Sequence, residues 1–386
     1  MRAYVKIGSL AICGLLIGNG SNAQNHKNNP TSNHGNKFEQ LGSILQDPNY
    51  FRTASGAPGP GYWQQRADYV IKAKLDETKN ELQGDEVITY YNQSPDKLTY
   101  VWLQLDENEH RASTDKNNFD GSSIEAPVTN GTLDPLFSKE KLEGLGVNII
   151  SVTGEKGKPM KYTINQTMMR IDLDKPLQPK QKLVLKIKWS YKIPERMKTG
   201  GRGGYEYFSG DGNSLFTITQ WYPRMCVYSD NQGWQNKQFT GRGEFTLAFG
   251  NFKVELTVPA DHIICATGQC SNLSKILSST ELSRWQQAQN SKEPIEIVTL
   301  EEAKQKEKTK SPEWKTWVYA ADSVRDFAWG SSRKFIWDAM RVEGGRSMVT
   351  CMSYYPKESY ALYRKFSTKT VAHTIRTYSK FTIPYP

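Results

Sequence analysis

The sequence has few histidines, and none of them is spaced for a metal site. No two of the five lie four residues apart, so the HExxH motif, in which two histidines bind zinc and the glutamate activates a water, is absent. The GxSxG motif is also absent, which excludes a nucleophile elbow. Neither motif therefore supplies a catalytic residue or a zinc ligand in this sequence. The five histidines are His26, His34, His110, His262 and His373.

Cysteine is scarce as well, and its spacing matches no zinc motif. Cys265 and Cys270 flank the stretch ATGQ, which is compatible with a turn. A local disulfide is one interpretation, and buried free thiols are the other. The sequence leaves both open.

Long apolar runs are missing except near the N-terminus. There, Arg2 and Lys6 precede an apolar run over 7–17, which is too short to span a bilayer, and a small-residue site ends at Ala23. This pattern predicts a signal peptide over 1–23, cleavage near Ala23 and export to the periplasm or the exterior. No later segment is apolar enough to predict a transmembrane helix.

The formal net charge is +10, but it gives no sign of a nucleic-acid partner. Lysine and arginine alternate along predicted strands and are balanced locally by acidic residues, and no aromatic-basic module occurs. A solvated surface is the favoured interpretation.

The glycine-rich stretch TGGRGGYEYFSGDGNS lacks GxGxxG and a following helix. It predicts a flexible loop rather than a phosphate cradle. Asp211 and Asn213 within it supply two oxygen ligands, which is weak evidence for a calcium site.

Alternating polarity predicts β-strands over much of the chain. In DYVIKAKLD and KLVLKIKWSYKI, apolar and polar residues alternate with the period of two that marks a half-buried strand. EFTLAFGNFKVELTVPADHIICATG predicts two more strands, broken at Gly250 and Asn251, whereas 281–310 predict helices. After a disordered leader over 24–44, we expect an antiparallel sandwich or saddle-like β domain over 45–330.

The last part of the chain changes character. SMVTCMSYYP predicts a strand, and a helical stripe of apolar residues runs from Ser359 until Ile383 and Pro384 end it. His373 falls on the flank of this stripe, where a surface histidine is the favoured interpretation. Because one strand and one helix do not close a core, 331–386 are interpreted as the start of a second, α-containing domain.

The stretch TQWYPRMCVYSDNQGWQNKQFTGRGEF has an unusual composition. Its tryptophans, tyrosines and arginine are typical either of a ligand cleft or of an aromatic plug at a sheet edge. Composition alone does not separate the two.

This stretch, continued by FGNFKVELTVPADHIICATG, resembles secreted bacterial members of the aminopeptidase N group of zinc metallopeptidases, the gluzincins. VRDFAWGSSRKFIWDAM and RTASGAPGPGYWQQRADY resemble the same family. The resemblance implies a saddle-shaped β domain followed by a thermolysin-like catalytic domain, of which this chain carries the first strand and helix. It also implies peptide substrates and, in full-length relatives, zinc.

The resemblance places two residues at the substrate. Gln220 lies where the family's β domain offers a glutamine to the amino end of a peptide. The family's nearby acidic residue corresponds to Tyr222, so recognition of the amino end is in doubt. We therefore expect substrate contacts from Gln220 and Tyr222 and no zinc ligand.

Two hypotheses follow. The chain is the front part of an exported zinc aminopeptidase, inactive alone, with an exposed apolar face on its last helix and a separate chain as a possible source of the catalytic domain. The alternative is a stand-alone secreted β module that binds peptides or surfaces without catalysis, with that helix docked on the sheet.

Overall fold

A computed structural model describes residues 48–111, 144–241 and 246–385. The predicted signal peptide and leader lie outside the described residues. The chain divides into two compact units, Met1–Trp63 and Gln64–Pro386, and the elements below belong to the second.

The larger unit is mostly β. Its strands are β1 (Arg66–Asp76), β2 (Glu81–Tyr91), β3 (Leu98–Gln104), β4 (Asn148–Gly154), β5 (Tyr162–Asn165), β6 (Met168–Leu177), β7 (Lys182–Lys192), β8 (Gly204–Phe208), β9 (Asn213–Ile218), β10 (Arg224–Met225), β11 (Tyr228–Ser229), β12 (Gly233–Trp234), β13 (Gly250–Pro259), β14 (Ile263–Ala266), β15 (Gln269–Cys270), β16 (Ile295–Val298), β17 (Trp314–Val324), β18 (Trp329–Ser332), β19 (Ile336–Glu343) and β20 (Met348–Tyr355). The α-helices are α1 (Arg196–Thr199), α2 (Leu273–Ile276), α3 (Ser279–Ala288), α4 (Leu300–Thr309) and α5 (Tyr360–Phe381), and Asp106–His110 and Lys357–Ser359 form 3-10 turns.

The strands form several antiparallel sheets, which confirms the predicted mostly β class. The largest sheet has the order β15-β17-β13-β1-β2-β7-β4, and two four-stranded sheets have the orders β10-β3-β6-β5 and β14-β18-β9-β8. A three-stranded sheet, β16-β19-β20, and the β11-β12 hairpin complete the set. The pairing of β1 with β13 is parallel, whereas the other strand pairs in the described residues are antiparallel.

The alternating patterns place the core as predicted. Ile71 and Leu75 of β1 and Ile187 and Trp189 of β7 are fully buried, while the lysines between them face solvent. Trp189 lies opposite Gly84 of β2, where a Cβ atom would come within 2.2 Å of the indole ring. Glycine is therefore required at that point.

Two local predictions are corrected. Asn251 lies inside β13 rather than at a break, because a bulge next to Gly250 absorbs the irregularity, and the chain turns at Asp261 instead. The glycine-rich stretch forms the β8-β9 hairpin rather than a flexible loop. Of the two interpretations left open for Cys265 and Cys270, the structure has free thiols, as it has for the other two cysteines in the described residues.

The predicted helices are confirmed over 279–309, where α3 and α4 both begin with a capping box. The C-terminal strand and helix are confirmed as β20 and α5. β20 pairs with β19, and Ala372 and Ile375 of α5 pack against Met340 and Cys351 of these strands. Among the described residues, no helix is long and apolar enough to cross a membrane.

Candidate functional site

The segment after β9 is anchored in the core by Trp221. Its side chain is 0% exposed, and its ring lies 5.8 Å from that of Trp189 and 6.0 Å from that of Trp329, centroid to centroid. The indole Nε1 donates a hydrogen bond of 2.8 Å to the carbonyl of Phe327. The aromatic residues of this stretch therefore plug the core rather than line an open cleft.

Tyr222 is buried beside Trp221. It is 2% exposed, and its hydroxyl donates to Oδ1 of Asp326 at 2.8 Å. Burial, reinforced by the Asp326 carboxylate, raises the pKa of Tyr222 well above its usual value. Tyr222 therefore exposes almost no surface to a substrate.

Arg224 completes a buried anchor, by which we mean Trp221, Tyr222 and Arg224. Its guanidinium donates to Oδ2 of Asp326 at 2.7 Å and to Oε1 of Gln104 at 3.0 Å, and it forms a buried ion pair with Asp106. Burial raises the pKa of Asp106 to about 6 although Arg224 opposes the change. Removal of either partner would leave a buried charge without its counterion.

Gln220 precedes this anchor and is partly exposed. Its φ of 55° lies in the left-handed region, which costs a residue with a side chain roughly 1–2 kcal/mol. β9 fixes the chain on one side, and the buried Trp221 fixes it on the other, so the surrounding structure imposes this conformation. Five other non-glycine residues in the described part of the chain also have a positive φ, so this conformation supports a functional role only in combination with the residues around it.

Gln220 is one residue away from the lining of a cleft of about 930 Å³. Its neighbour Thr219 lines this cleft, one wall of which comes from β9, β14 and β18 and the other from β20 and α5. The lining is largely apolar and includes Leu215, Thr217, Thr219, Trp329, Met352 and Tyr354. A volume of this size is typical of sites for small ligands and peptide ends.

The predicted surface position of His373 is confirmed, since its Nδ1 lies 3.4 Å from the exposed hydroxyl of Thr377. His262, in contrast, is fully buried, with its Nδ1 2.9 Å from Oγ of Ser331 and its Nε2 3.6 Å from Glu77. Burial lowers the pKa of His262. The chain of contacts from Ser331 through His262 to Glu77 resembles a catalytic triad. Ser331 is 0% exposed, however, so no substrate reaches it.

One group of three potential metal ligands occurs in the described part of the chain. The carboxylates of Asp211, Glu307 and Glu358 have oxygens within 4.8 Å of one another. The buried ammonium of Lys334 lies among them, 2.8 Å from Glu307 and 3.1 Å from Glu358, and Lys357 lies 2.6 Å from Asp211. Burial alone would raise the pKa of Asp211, but hydrogen bonds from the two lysines outweigh it and set the pKa at about 2.

This group does not fit zinc, because it contains neither histidine nor cysteine and lysine ammonium groups already neutralise it. The contacts of Asp211 and Asn213 add nothing to the weak evidence for a calcium site. The carboxylate of Asp211 binds lysines, and the amide of Asn213 donates to Asp211 and to the carbonyl of Glu307.

Residues 331–334, SSRK, are completely buried here, and no sequence signal distinguishes them from a surface turn.

No protein-family model matches the sequence, and no curated protein matches it. Solved structures of M1 zinc metallopeptidases are similar at low identity. The M1 zinc metallopeptidase from Deinococcus radiodurans is 14% identical, with a TM-score of 0.46 over 85% of this chain and 56% of that chain. A mutant of that protein bound to a Tyr-Ser-Ala substrate is 12% identical, with a TM-score of 0.45 over 86% of this chain and 56% of that chain. This chain thus spans little more than half of the solved chains.

Proposed function

We propose that this chain supplies the peptide-contacting β region of an exported zinc peptidase of the aminopeptidase type, and not its metal centre. The observation that carries the proposal is the conformation of Gln220. A strained, partly exposed glutamine lies between β9 and a buried anchor, directly after Thr219, which lines an open cleft. The sequence blocks that resemble the aminopeptidase N group include this same residue.

The chemistry of Gln220 suits the end of a peptide. Its amide oxygen accepts a hydrogen bond from an amino terminus, and its amide nitrogen donates to a peptide carbonyl. In this proposal Tyr222 positions Gln220 from inside the core and does not contact the peptide. The acidic residue of the family is thereby missing, so we expect weak recognition of the amino end.

The chain alone is expected to be catalytically inactive, since its sequence contains no HExxH motif and the one cluster of three carboxylates found among the described residues does not fit zinc. Metal analysis of the purified chain and an assay with a panel of aminoacyl-coumarin substrates test this. Stoichiometric zinc together with turnover would contradict the proposal. If zinc and turnover are both absent, a separate chain that carries HExxH is added, and hydrolysis is measured again.

Peptide contact is tested by Gln220→Gly. Glycine adopts a φ of 55° without strain, so this change removes the amide without destabilising the fold. Gln166, with a φ of 53° in the β5-β6 turn, provides a matched control as Gln166→Gly. We expect that titration with a short peptide detects weaker binding in Gln220→Gly alone. Equal binding by both variants would exclude contact by Gln220.

A second candidate function has support from α5. Ala372 is buried against β19 and β20, so the helix is docked on the sheet, as a stand-alone peptide-binding module requires. The opposite side of α5, however, exposes Leu362, Phe366, Tyr378 and Phe381. A monomer with protected α5 amides in hydrogen exchange would favour the stand-alone module, whereas self-association through this face would favour the first proposal.

A further inference from the structure

A second cleft, of about 640 Å³, lies apart from Gln220 and Tyr222. It is bounded by the β1-β2 turn, α1, the β8-β9 hairpin and the connection from α4 to β17. Its volume falls within the range of small-molecule sites. We infer that this cleft binds a neutral, hydroxyl-rich ligand, namely a short oligosaccharide. The inference does not depend on the peptidase proposal.

The floor of the cleft is rigid. Arg333 is almost completely buried and binds both oxygens of Glu77 at 2.6 Å, and it also donates to Asp261 at 3.0 Å and to Asn213 at 3.1 Å. Burial alone would raise the pKa of Glu77, but the nearby His262 and the hydrogen bonds from Arg333 lower it to about 2. This carboxylate therefore keeps its charge and its bidentate partner across the physiological pH range.

The charges around the cleft are largely compensated. Four carboxylates face three cationic side chains in its lining, and each cation already has a partner. Arg333 pairs with Glu77, Lys198 lies 2.6 Å from Glu195, and Lys310 donates to the carbonyl of Gly212 at 2.7 Å. The lining keeps one net negative charge, on the exposed and solvent-screened Glu313, so the cleft disfavours a phosphate, attracts a small cation only weakly and favours a neutral ligand.

Aromatic rings are the surfaces that remain for a ligand. Tyr207 is 57% exposed and Trp314 is 44% exposed, and both line the cleft. The ammonium of Lys74 lies 4.1 Å from the centroid of the Trp314 ring and holds it in place by a cation–π contact. Exposed rings beside a polar floor accept a ligand with one apolar face and one polar edge, which is the character of a pyranose ring.

Polar groups for such an edge are present. In the part of the chain that the structure describes, the exposed carboxylate of Glu313 has no hydrogen-bond or ion-pair partner, and it accepts hydrogen bonds from hydroxyl groups. The hydroxyls of Ser311 and Tyr207 lie in the same lining. Together, the aromatic rings, the compensated charge and these groups favour a sugar over an ionic or a wholly apolar ligand.

The test is saturation-transfer NMR, followed by calorimetry, on the full chain with neutral tetrasaccharides of glucose and of N-acetylglucosamine. Choline and a tetragalacturonate serve as the cationic and anionic probes. We expect a neutral tetrasaccharide to bind with an affinity that is unchanged between about 50 mM and about 500 mM salt. Trp314→Ala is expected to weaken binding about tenfold, while Trp314→Phe, which keeps a ring, retains most of it.

Tyr162→Ala is the matched control, because Tyr162 is an exposed tyrosine on β5, outside the lining of this cleft. It is expected to leave sugar binding unchanged. Absence of binding by the neutral probes, equal effects of the two alanine variants, or salt-sensitive binding of choline or the galacturonate that depends on Trp314 would each overturn the inference.

Discussion

The hydroxyl of Tyr222 donates to Oδ1 of Asp326 at 2.8 Å, and Arg224 binds the other oxygen of the same carboxylate at 2.7 Å. One acidic side chain thus connects the segment after Gln220 to the segment before β18. Gln220 is held by this connection, so its conformation and the stability of the anchor are linked.

Loss of the Tyr222 hydroxyl is expected to act on stability rather than on peptide contact. Tyr222→Phe removes one hydrogen bond to a carboxylate and should lower the free energy of unfolding by about 1.5–3 kcal/mol, measured by urea denaturation. Peptide binding by the folded variant should change little, because Arg224 still binds Asp326 and the buried Trp221 still holds the segment after Gln220. Strongly reduced binding without a change in stability would instead place the hydroxyl at the substrate.

Glu86 is expected to make stability fall as pH rises. It is fully buried on β2, neither carboxylate oxygen has a partner among the described residues, and burial raises its pKa well above the ordinary 4.5. The unfolded chain loses this proton more readily, so the stabilisation is present below about pH 4.5 and is lost as pH increases toward the folded pKa.

Glu86→Gln should therefore raise the free energy of unfolding at pH 8 by about 1–3 kcal/mol and have little effect at pH 4. Asp85→Asn, on the exposed face of the same strand, is the control and should change stability only slightly. A pH profile of stability that is identical in Glu86→Gln and the unmodified chain would refute this account.

Lys334 is expected to be essential for the stability of its carboxylate cluster. Lys334→Met would leave the buried Glu307 and its neighbours without their central cation, at a cost of about 3–5 kcal/mol. Millimolar calcium should raise the melting temperature of this variant but not that of the unmodified chain. Lys304→Met, which removes an exposed lysine paired with Glu301, should change stability by less than about 1 kcal/mol.

The docking of α5 is expected to depend on Thr368. Its hydroxyl donates to the buried carboxylate of Asp338 on β19, which also accepts a hydrogen bond of 2.5 Å from Tyr355. Thr368→Val keeps the shape, removes the donor and should cost about 1–3 kcal/mol. Hydrogen exchange should show faster exchange in α5, whereas the exposed Thr370→Val should leave it unchanged.

The strands were predictable because burial repeats with their geometry. Ile71 and Leu75 lie an even number of positions apart in β1 and therefore face the same side of the sheet. The same argument identified α5 from its helical spacing. The strands and α5 depend on residues that are near one another in sequence, so the pattern of apolar and polar residues predicts them directly.

The contacts between distant segments were not predictable in this way. Nothing near Arg333 indicates that Glu77 will bind it across 256 residues of chain, and nothing near Tyr222 indicates Asp326. The sequence placed Gln220 and Tyr222 near a substrate through a resemblance. It did not show that Gln220 is partly exposed while Tyr222 is buried, because the exposure of each residue depends on which sheets pack over it.

The parallel pairing of β1 with β13 has a consequence for synthesis. Tyr69 of β1 lies beside Phe252 of β13. During synthesis, one edge of β1 therefore has no partner strand until β13 has left the ribosome. At roughly 5–20 residues per second, that interval lasts on the order of ten seconds or more. During this time the nascent polypeptide carries an unpaired, partly apolar strand edge, which is the condition under which chaperones are required and misassembly competes with folding.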